Sequence, residues 1–324
     1  MRVLSGIQSS GLLHIGNYYG AIKQHIELQE GNECFFFVAN YHALNTIQEP
    51  ALLRKLTLDV ALDYLALGLD PQRAALFRQS DIPEVTELAW ILGSVTGMGL
   101  LERGTSYRDK VERGLPASVG LFYYPVLMAA DILIYRSDVV PVGKDQTQHI
   151  EFARDMAGYF NGTFGGEVLK LPQARLNEAA IVPGVDGQKM SKSYGNTIEI
   201  FGESGPTKKK IMGIKTDSTP VDQPKNPESC NVFALLRLMA PPDELETWRR
   251  RYVAGGMGYG DAKKRLAELY EEKFGALRER RAQLAARPDE VEDILRAGAR
   301  RARAVAQQVM EDVRSACGIV TAKC

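Results

Sequence analysis

Two segments of the chain carry residue types suited to phosphate chemistry. The first, Gly6-Ile7-Gln8-Ser9-Ser10-Gly11-Leu12-Leu13-His14-Ile15-Gly16-Asn17, lies between a strand-like run and a helical one. Its small residues let the backbone approach a ligand closely. The following helix offers unpaired N–H groups and the positive end of a dipole to an anion. The pattern is neither a Walker loop nor GxGxxG, and glycine and serine after a strand are weak evidence by themselves. The second segment, Asp186-Gly187-Gln188-Lys189-Met190-Ser191-Lys192-Ser193, is sharper. Two lysines bracket Met-Ser in a loop flanked by Gly187 and Gly195. Two ammonium groups on a loop that moves can close on a triphosphate and offset the charge that develops on departing pyrophosphate. A generic lysine pair is usually no more than a solvated basic loop. What sets this one apart is its pairing with His14-Ile15-Gly16-Asn17 far upstream.

Together the two segments resemble the HIGH and KMSKS motifs of class I aminoacyl-tRNA synthetases, at a spacing suited to a compact member without an editing domain. The resemblance narrows with Ser5-Gly6-Ile7-Gln8, Gly16-Asn17-Tyr18, the stretch from Tyr124-Pro125-Val126 to Asp131-Ile132-Leu133, and Val140-Pro141-Val142-Gly143-Lys144-Asp145-Gln146. All are similar to the bacterial tryptophanyl-tRNA synthetase family, with matches from the first strand to about Asn196 and weaker helical similarity beyond. The resemblance implies a ligase that activates L-tryptophan with ATP and Mg²⁺ and passes it to its tRNA. It also implies site roles. His14 and Asn17 would contact the ATP phosphates, with Asn17 where many class I enzymes have a second histidine. Gln8, Ser9, Ser10 and Gly16 would line the ATP site, and Gly143, Lys144 and Asp145 would meet its ribose and adenine side. Ile181 and Met190 would pack near the adenine, with Ser191 and Ser193 beside them on the loop. Lys189 and Lys192 would hold the leaving pyrophosphate, assisted by Lys110. In-line attack of a carboxylate on the α-phosphorus can run on positioning and charge stabilisation, so no nucleophilic triad is needed.

Asp131 is the most informative single residue under this resemblance. Tryptophan differs from other large apolar amino acids by one indole N–H, which can only donate. A carboxylate at the end of an apolar segment would read it, and phenylalanine would leave that acceptor unpaired at a cost of about 1–3 kcal/mol or more. The bland alternative is a helix-capping or salt-bridged aspartate. Met128 would pack on the indole, Tyr124 and Gln146 would bind the substrate ammonium, and His42 lies on the turn after the second strand. Three positions depart from the family pattern: Ser9 replaces a usual proline, Asn40-Tyr41-His42 lacks the acidic residue two before the histidine, and Lys144 stands where an acidic or small residue is common.

These residues need a scaffold that brings distant turns together. Arg2–Ser5, Cys34–Ala39, Ala74–Arg78 and Val139–Val142 read as strands; Cys-Phe-Phe-Phe-Val-Ala is the continuous apolar run of a strand buried on both faces. Helical patterns follow at about 16–30, from Pro50, at 82–101 and at about 145–160. This alternation predicts an α/β fold, a Rossmann-like doubly wound parallel sheet, with ligands outside the carboxyl ends of its strands. The turns after strands one, two and four are where chemistry is expected. Past Glu203 only helices are read: 230–239, 242–252, 261–287 and 288–317. The expected division is a catalytic domain over 1–203, with a helical insertion at about 81–117, and an all-helical anticodon-binding domain over 204–324. The family is homodimeric through that insertion, and Leu88 to Leu101 suits an interface.

Lys+Arg and Asp+Glu both total 40, so any contact with an RNA backbone must come from local patches. The basic clusters are Lys208 to Lys210, Arg249 to Arg251, Arg278/Arg280/Arg281 and Arg300/Arg301/Arg303, each as readily a solvated helix face as an RNA patch; Tyr252, Tyr259 and Tyr270 are available for base stacking. The four cysteines have no CxxC spacing, so no zinc and no disulfide framework is expected, and Cys34 reads as a buried thiol. The first residues run straight into a strand and no stretch is apolar enough to span a bilayer, which points to a cytoplasmic location without membrane contact. Tyrosyl-tRNA synthetase shares fold and motifs but needs acceptors arranged for a phenol. Small nucleotidyltransferases lack the lysine loop, and a regulatory paralogue has no need of both lysines and Asp131.

Overall fold

The computed structural model describes residues 1–112, 114, 117–143, 147–176 and 182–319. Lys144, Asp145, Gln146 and Ile181, all expected at the ATP or tryptophan sites, lie outside the described residues, as does the side chain of Lys110. In chain order the elements are β1 (Arg2–Gln8), α1 (Ile15–Asn17), a π-helical turn (Tyr18–Ile22), α2 (Lys23–Leu28), β2 (Glu33–Ala39), α3 (Asn40–Ala43), α4 (Pro50–Leu67), β3 (Ala74–Arg78), α5 (Glu84–Val95), α6 (Met98–Leu101), α7 (Thr105–Glu112), α8 (Val119–Leu133), β4 (Val139–Val142), α9 (Thr147–Phe164) and β5 (Gln173–Leu176). Then come α10 (Ser204–Met212), α11 (Asn231–Met239), α12 (Pro242–Ala254), α13 (Tyr259–Ala285) and α14 (Pro288–Cys317).

The sheet order is β3-β2-β1-β4-β5 with every pairing parallel, from Val3 opposite Cys34 on one side of β1 to Val3 opposite Val139 on the other. The strand order therefore reverses between β1 and β4, the switch point at which parallel sheets open a crevice at their carboxyl ends. Alternation along β2 sends Phe35 and Phe37 into a core shared with α5, α8, α9 and α14. Phe36 points to the other face, where the rings of His25 and Tyr64 stack beside it. Cys34 is buried as expected, with its thiol pushed up to about 11 by burial.

The chain forms two compact units that differ from the division expected from sequence. One holds Met1–Ser10, Gln24–Glu178 and Arg287–Cys324, the other Gly11–Lys23 and Ala179–Ala286. Three pieces fall otherwise than expected: Gly11–Lys23 and the stretch 179–203 group with the helices up to Ala286, and α14 groups with the sheet rather than with the other C-terminal helices. This last helix presents Ala302, Ala306, Val309, Met310 and Val313 to that core, with Leu295 and Gly298 also buried. At Gly298 the approach to β3 is so close that a Cβ would stand 2.0 Å from the Leu76 carbonyl oxygen. Arg78 grips Glu292 through both terminal nitrogens (2.8 and 2.7 Å), and Arg303 donates to buried Glu84 at 2.7 Å.

Smaller differences have local causes. The helix expected at 82–101 is broken into α5 and α6 at Thr96-Gly97, and the one at 16–30 is interrupted by the π turn between α1 and α2. The fifth strand, Gln-Ala-Arg-Leu at the sheet edge, carries no strand signal in the sequence because it is short and half polar, as sheet edges tend to be.

Candidate active site

In the second unit, the first phosphate-suited segment is joined by backbone pairing to the stretch that follows the lysine loop. Ile15 N–H donates to the Ile198 carbonyl (2.9 Å) and Ile200 N–H to the Leu13 carbonyl (3.1 Å), an antiparallel bridge centred on His14 and Glu199. His14 is the N-cap of α1. Its Nδ1 accepts the Asn17 backbone N–H (3.3 Å), while the Asn17 side-chain oxygen accepts the His14 N–H (3.1 Å). Burial first, and the Lys192 ammonium second, lower His14 to about 4. The ring is therefore neutral at physiological pH, and with Nδ1 accepting, its proton sits on Nε2 as a donor. Gly16 is needed here because a Cβ would come within 2.9 Å of His14 Nδ1 and 3.3 Å of the Met190 Cβ.

The lysine loop is shaped by a residue the sequence reading passed over. Asn196 is buried, and its side-chain oxygen accepts the Ser191 N–H (2.8 Å). Its amide nitrogen donates to Asp186 Oδ1 (2.8 Å) and to the Lys189 carbonyl (3.2 Å). Gly187 and Gly195 supply left-handed backbone at φ 89° and 65° where the loop turns. Lys192 reaches back to the Gly11 carbonyl at 2.7 Å, Met190 is buried, and the Ser191 and Ser193 hydroxyls lie 2.9 Å apart. One neutral ring donor and one ammonium thus share the neighbourhood of the first turn, an arrangement suited to an anion.

In the first unit, a different cluster forms around Asp131, in the last turn of α8. The carboxylate is 2% exposed. His42 Nε2 lies 2.9 Å from Oδ2, and the Gln79 amide donates to Oδ1 (3.0 Å) and Oδ2 (2.8 Å). Burial pushes the Asp131 carboxyl up, against the lowering effect of His42 and Gln79. The Tyr124 hydroxyl lies 2.7 Å from His149 Nε2, its ring edge-on to His42. Met128 is half-buried against the core. At the end of β1, Gln8 donates to the His42 carbonyl (3.2 Å), buried Ser9 accepts from Thr57 (3.3 Å), and Ser10 N–H donates to the Gln8 carbonyl. Gly143 follows β4 directly. An isolated carboxylate in such a core would be costly, and three donor contacts explain how this one is tolerated.

A family described as tRNA synthetases class I (W and Y) matches residues 1–275. The tryptophan–tRNA ligase of Rhodopirellula baltica is 55% identical over 320 residues, covering 98% of this chain and 100% of that one. The chain belongs to the bacterial tryptophanyl-tRNA synthetases. Within this family, the structure of the Campylobacter jejuni enzyme complexed with ADP and tryptophan matches at a TM-score of 0.91 and 49% identity, covering 98% of this chain and 100% of that one. The Mycoplasma pneumoniae enzyme matches at 0.83 and 32%, covering 98% of each chain.

Gln79 is the other residue that sequence reasoning missed. Its signal is positional: a glutamine directly after a buried strand of a parallel sheet, at the end where ligands bind. The stacking tyrosines need correction. Tyr252 and Tyr270 are buried, with Tyr270 donating to the Glu199 and Ile200 carbonyls at 2.8 Å, so neither can meet a base. Tyr259 is half-buried and donates to Asp217 (2.7 Å). Much of the basic charge is paired: Arg249 with Glu228, Arg250 with Glu246, Arg251 with Asp261, Arg278 with Glu271, Arg303 with Glu84 and Lys210 with Glu199. Lys208 and Lys209 are exposed on α10.

Proposed function

We propose that this chain is an ATP-dependent tryptophan–tRNA ligase: the carboxylate of L-tryptophan attacks the α-phosphorus of ATP, and pyrophosphate leaves. The tryptophanyl-adenylate then yields its acyl group to a ribose hydroxyl of the tRNA, releasing AMP. The observation that carries the choice of amino acid is the buried Asp131 carboxylate, an acceptor matched to a group that can only donate. Tyr124, Met128, His42 and Gln146 complete the tryptophan side of this reading. On the phosphate side, neutral His14 donates a hydrogen bond without adding charge, and Lys189 and Lys192 offset the charge on pyrophosphate as it departs, with Lys110 assisting. Mg²⁺ enters with ATP, held mainly by phosphate oxygens; among the described residues no group of three or more His, Cys, Asp or Glu side chains could hold a metal ion.

The assembly is read as a homodimer, supported by the outward-facing Trp90 of α5 (77% exposed) and Met98 of α6 (62%). Among the described residues no helix is long and apolar enough to cross a membrane, and a tRNA partner favours the cytoplasm. The test of the activity is ATP–pyrophosphate exchange with each amino acid in turn, with Mg²⁺ and without tRNA. Exchange is expected with tryptophan alone and lost in Asp131→Ala and Lys189→Ala. Exchange with tyrosine would move the chain to the sister specificity, and tryptophan binding without any exchange would overturn the ligase reading.

A further inference from the structure

We propose that Gln79 is a specificity-positioning residue, locking the Asp131 carboxylate and the His42 turn into one frame that presents Oδ1 to the indole N–H of tryptophan. The inference rests on the reading of Asp131 given above. Gln79 follows the last residue of β3 and is 1% exposed. Its side-chain oxygen accepts the backbone N–H of Tyr41 (3.0 Å) and of His42 (3.4 Å). Backbone N–H groups only donate, so the oxygen must face them and the amide nitrogen must face Asp131.

That nitrogen spans both carboxylate oxygens, at 3.0 and 2.8 Å. His42 closes the figure: its backbone is held by Gln79 and its ring nitrogen lies 2.9 Å from Asp131 Oδ2. A carboxylate held by a single partner can turn about its Cβ–Cγ bond, whereas a donor spanning both oxygens fixes its plane. Oδ2 then has two donors and Oδ1 one longer one, which leaves Oδ1 the acceptor with capacity to spare. Leucine at position 79 would fill similar volume but remove the contacts that Gln79 makes to Asp131 and to the Tyr41–His42 backbone. It would also leave two backbone N–H groups unpaired.

The experiment compares tryptophan with its isostere carrying sulfur in place of the indole N–H, in ATP–pyrophosphate exchange by wild type, Gln79→Leu, Gln79→Glu and Asp131→Ala. Gln79→Glu keeps the oxygen that accepts from Tyr41 and His42 but sets a second carboxyl against Asp131, so the two compete for one proton and the acceptor offered to the indole N–H is altered while the turn is kept. Both Gln79 variants are expected to lower the preference for tryptophan over the isostere by about tenfold, mainly through KM for tryptophan. KM for ATP and kcat with the isostere should stay near wild type. Equal losses with both substrates, or an unchanged preference in Gln79→Leu while Asp131→Ala abolishes it, would overturn the role of Gln79. A preference that survives Asp131→Ala would instead overturn the reading of Asp131 itself.

Discussion

A histidine in water titrates near neutrality, and His14 has been moved well away from that by its surroundings. Burial is the larger cause and the Lys192 ammonium the second. These two residues are therefore coupled, and one substitution reads the coupling. Lys192→Ala should raise the His14 pKa from about 4 while leaving it below 6.5, because burial remains. The same variant should lower kcat for pyrophosphate exchange by about 100-fold and leave KM for tryptophan nearly unchanged. A pH titration of the His14 ring by NMR and a set of exchange kinetics check both. An unmoved His14 would show that Lys192 does not sit over the first turn in solution. At this scale the sequence offers as candidates the residue types that such chemistry suggests, the two lysines, His14 and Asp131. Gln79 and Asn196 are not among them, because amides carry no charge signature and their value lies entirely in which partners the fold supplies.

Elements are where the tertiary structure corrected the most. The pattern from Pro288 to Cys317 reads as a helix from sequence, and it is one, but its apolar stripe does not name the surface that will cover it. The partner is β3, admitted by Gly298 and held by the Arg78–Glu292 pair. Because Gln79 directly follows Arg78, this C-terminal helix anchors the strand end from which the Asp131 cluster is built. Gly298→Ala would force helix and strand apart, since the clashing atom is backbone and cannot swing away. It should destabilise the protein by about 1–3 kcal/mol, seen as a lower urea midpoint. A wild-type midpoint would mean that α14 packs less closely than the 2.0 Å approach requires.

For the whole molecule, the buried histidines predict how stability follows pH. His25 is lowered to about 3 by burial and His14 to about 4, both from an unfolded value of 6.5. Between those values the unfolded chain binds protons that the folded one refuses, so stability is fully present above about 6.5 and falls as the pH drops toward 4 and then 3. For His25, wholly buried with its Nδ1 2.8 Å from the Tyr64 hydroxyl, the loss by pH 4 is on the order of 3 kcal/mol. Urea unfolding at pH 7 and pH 4.5 measures it. Equal stability at the two values would rule out a neutral buried His25.

The sequence by itself determined the alternation of strands and helices, the two phosphate-suited turns and the buried carboxylate, because each is written in local composition: apolar runs, glycine at turns, paired lysines, an acid in an apolar stretch. Tertiary structure alone decided the order of strands about β1, the attachment of α14 to the sheet rather than to its neighbours in sequence, and the backbone bridge joining Leu13–Ile15 to Ile198–Ile200. It also decided the partners of Asp131, Tyr252 and Tyr270. Such choices depend on which distant surfaces fit and which polar groups satisfy one another once buried. That information belongs to pairs of segments and is absent from either segment read alone.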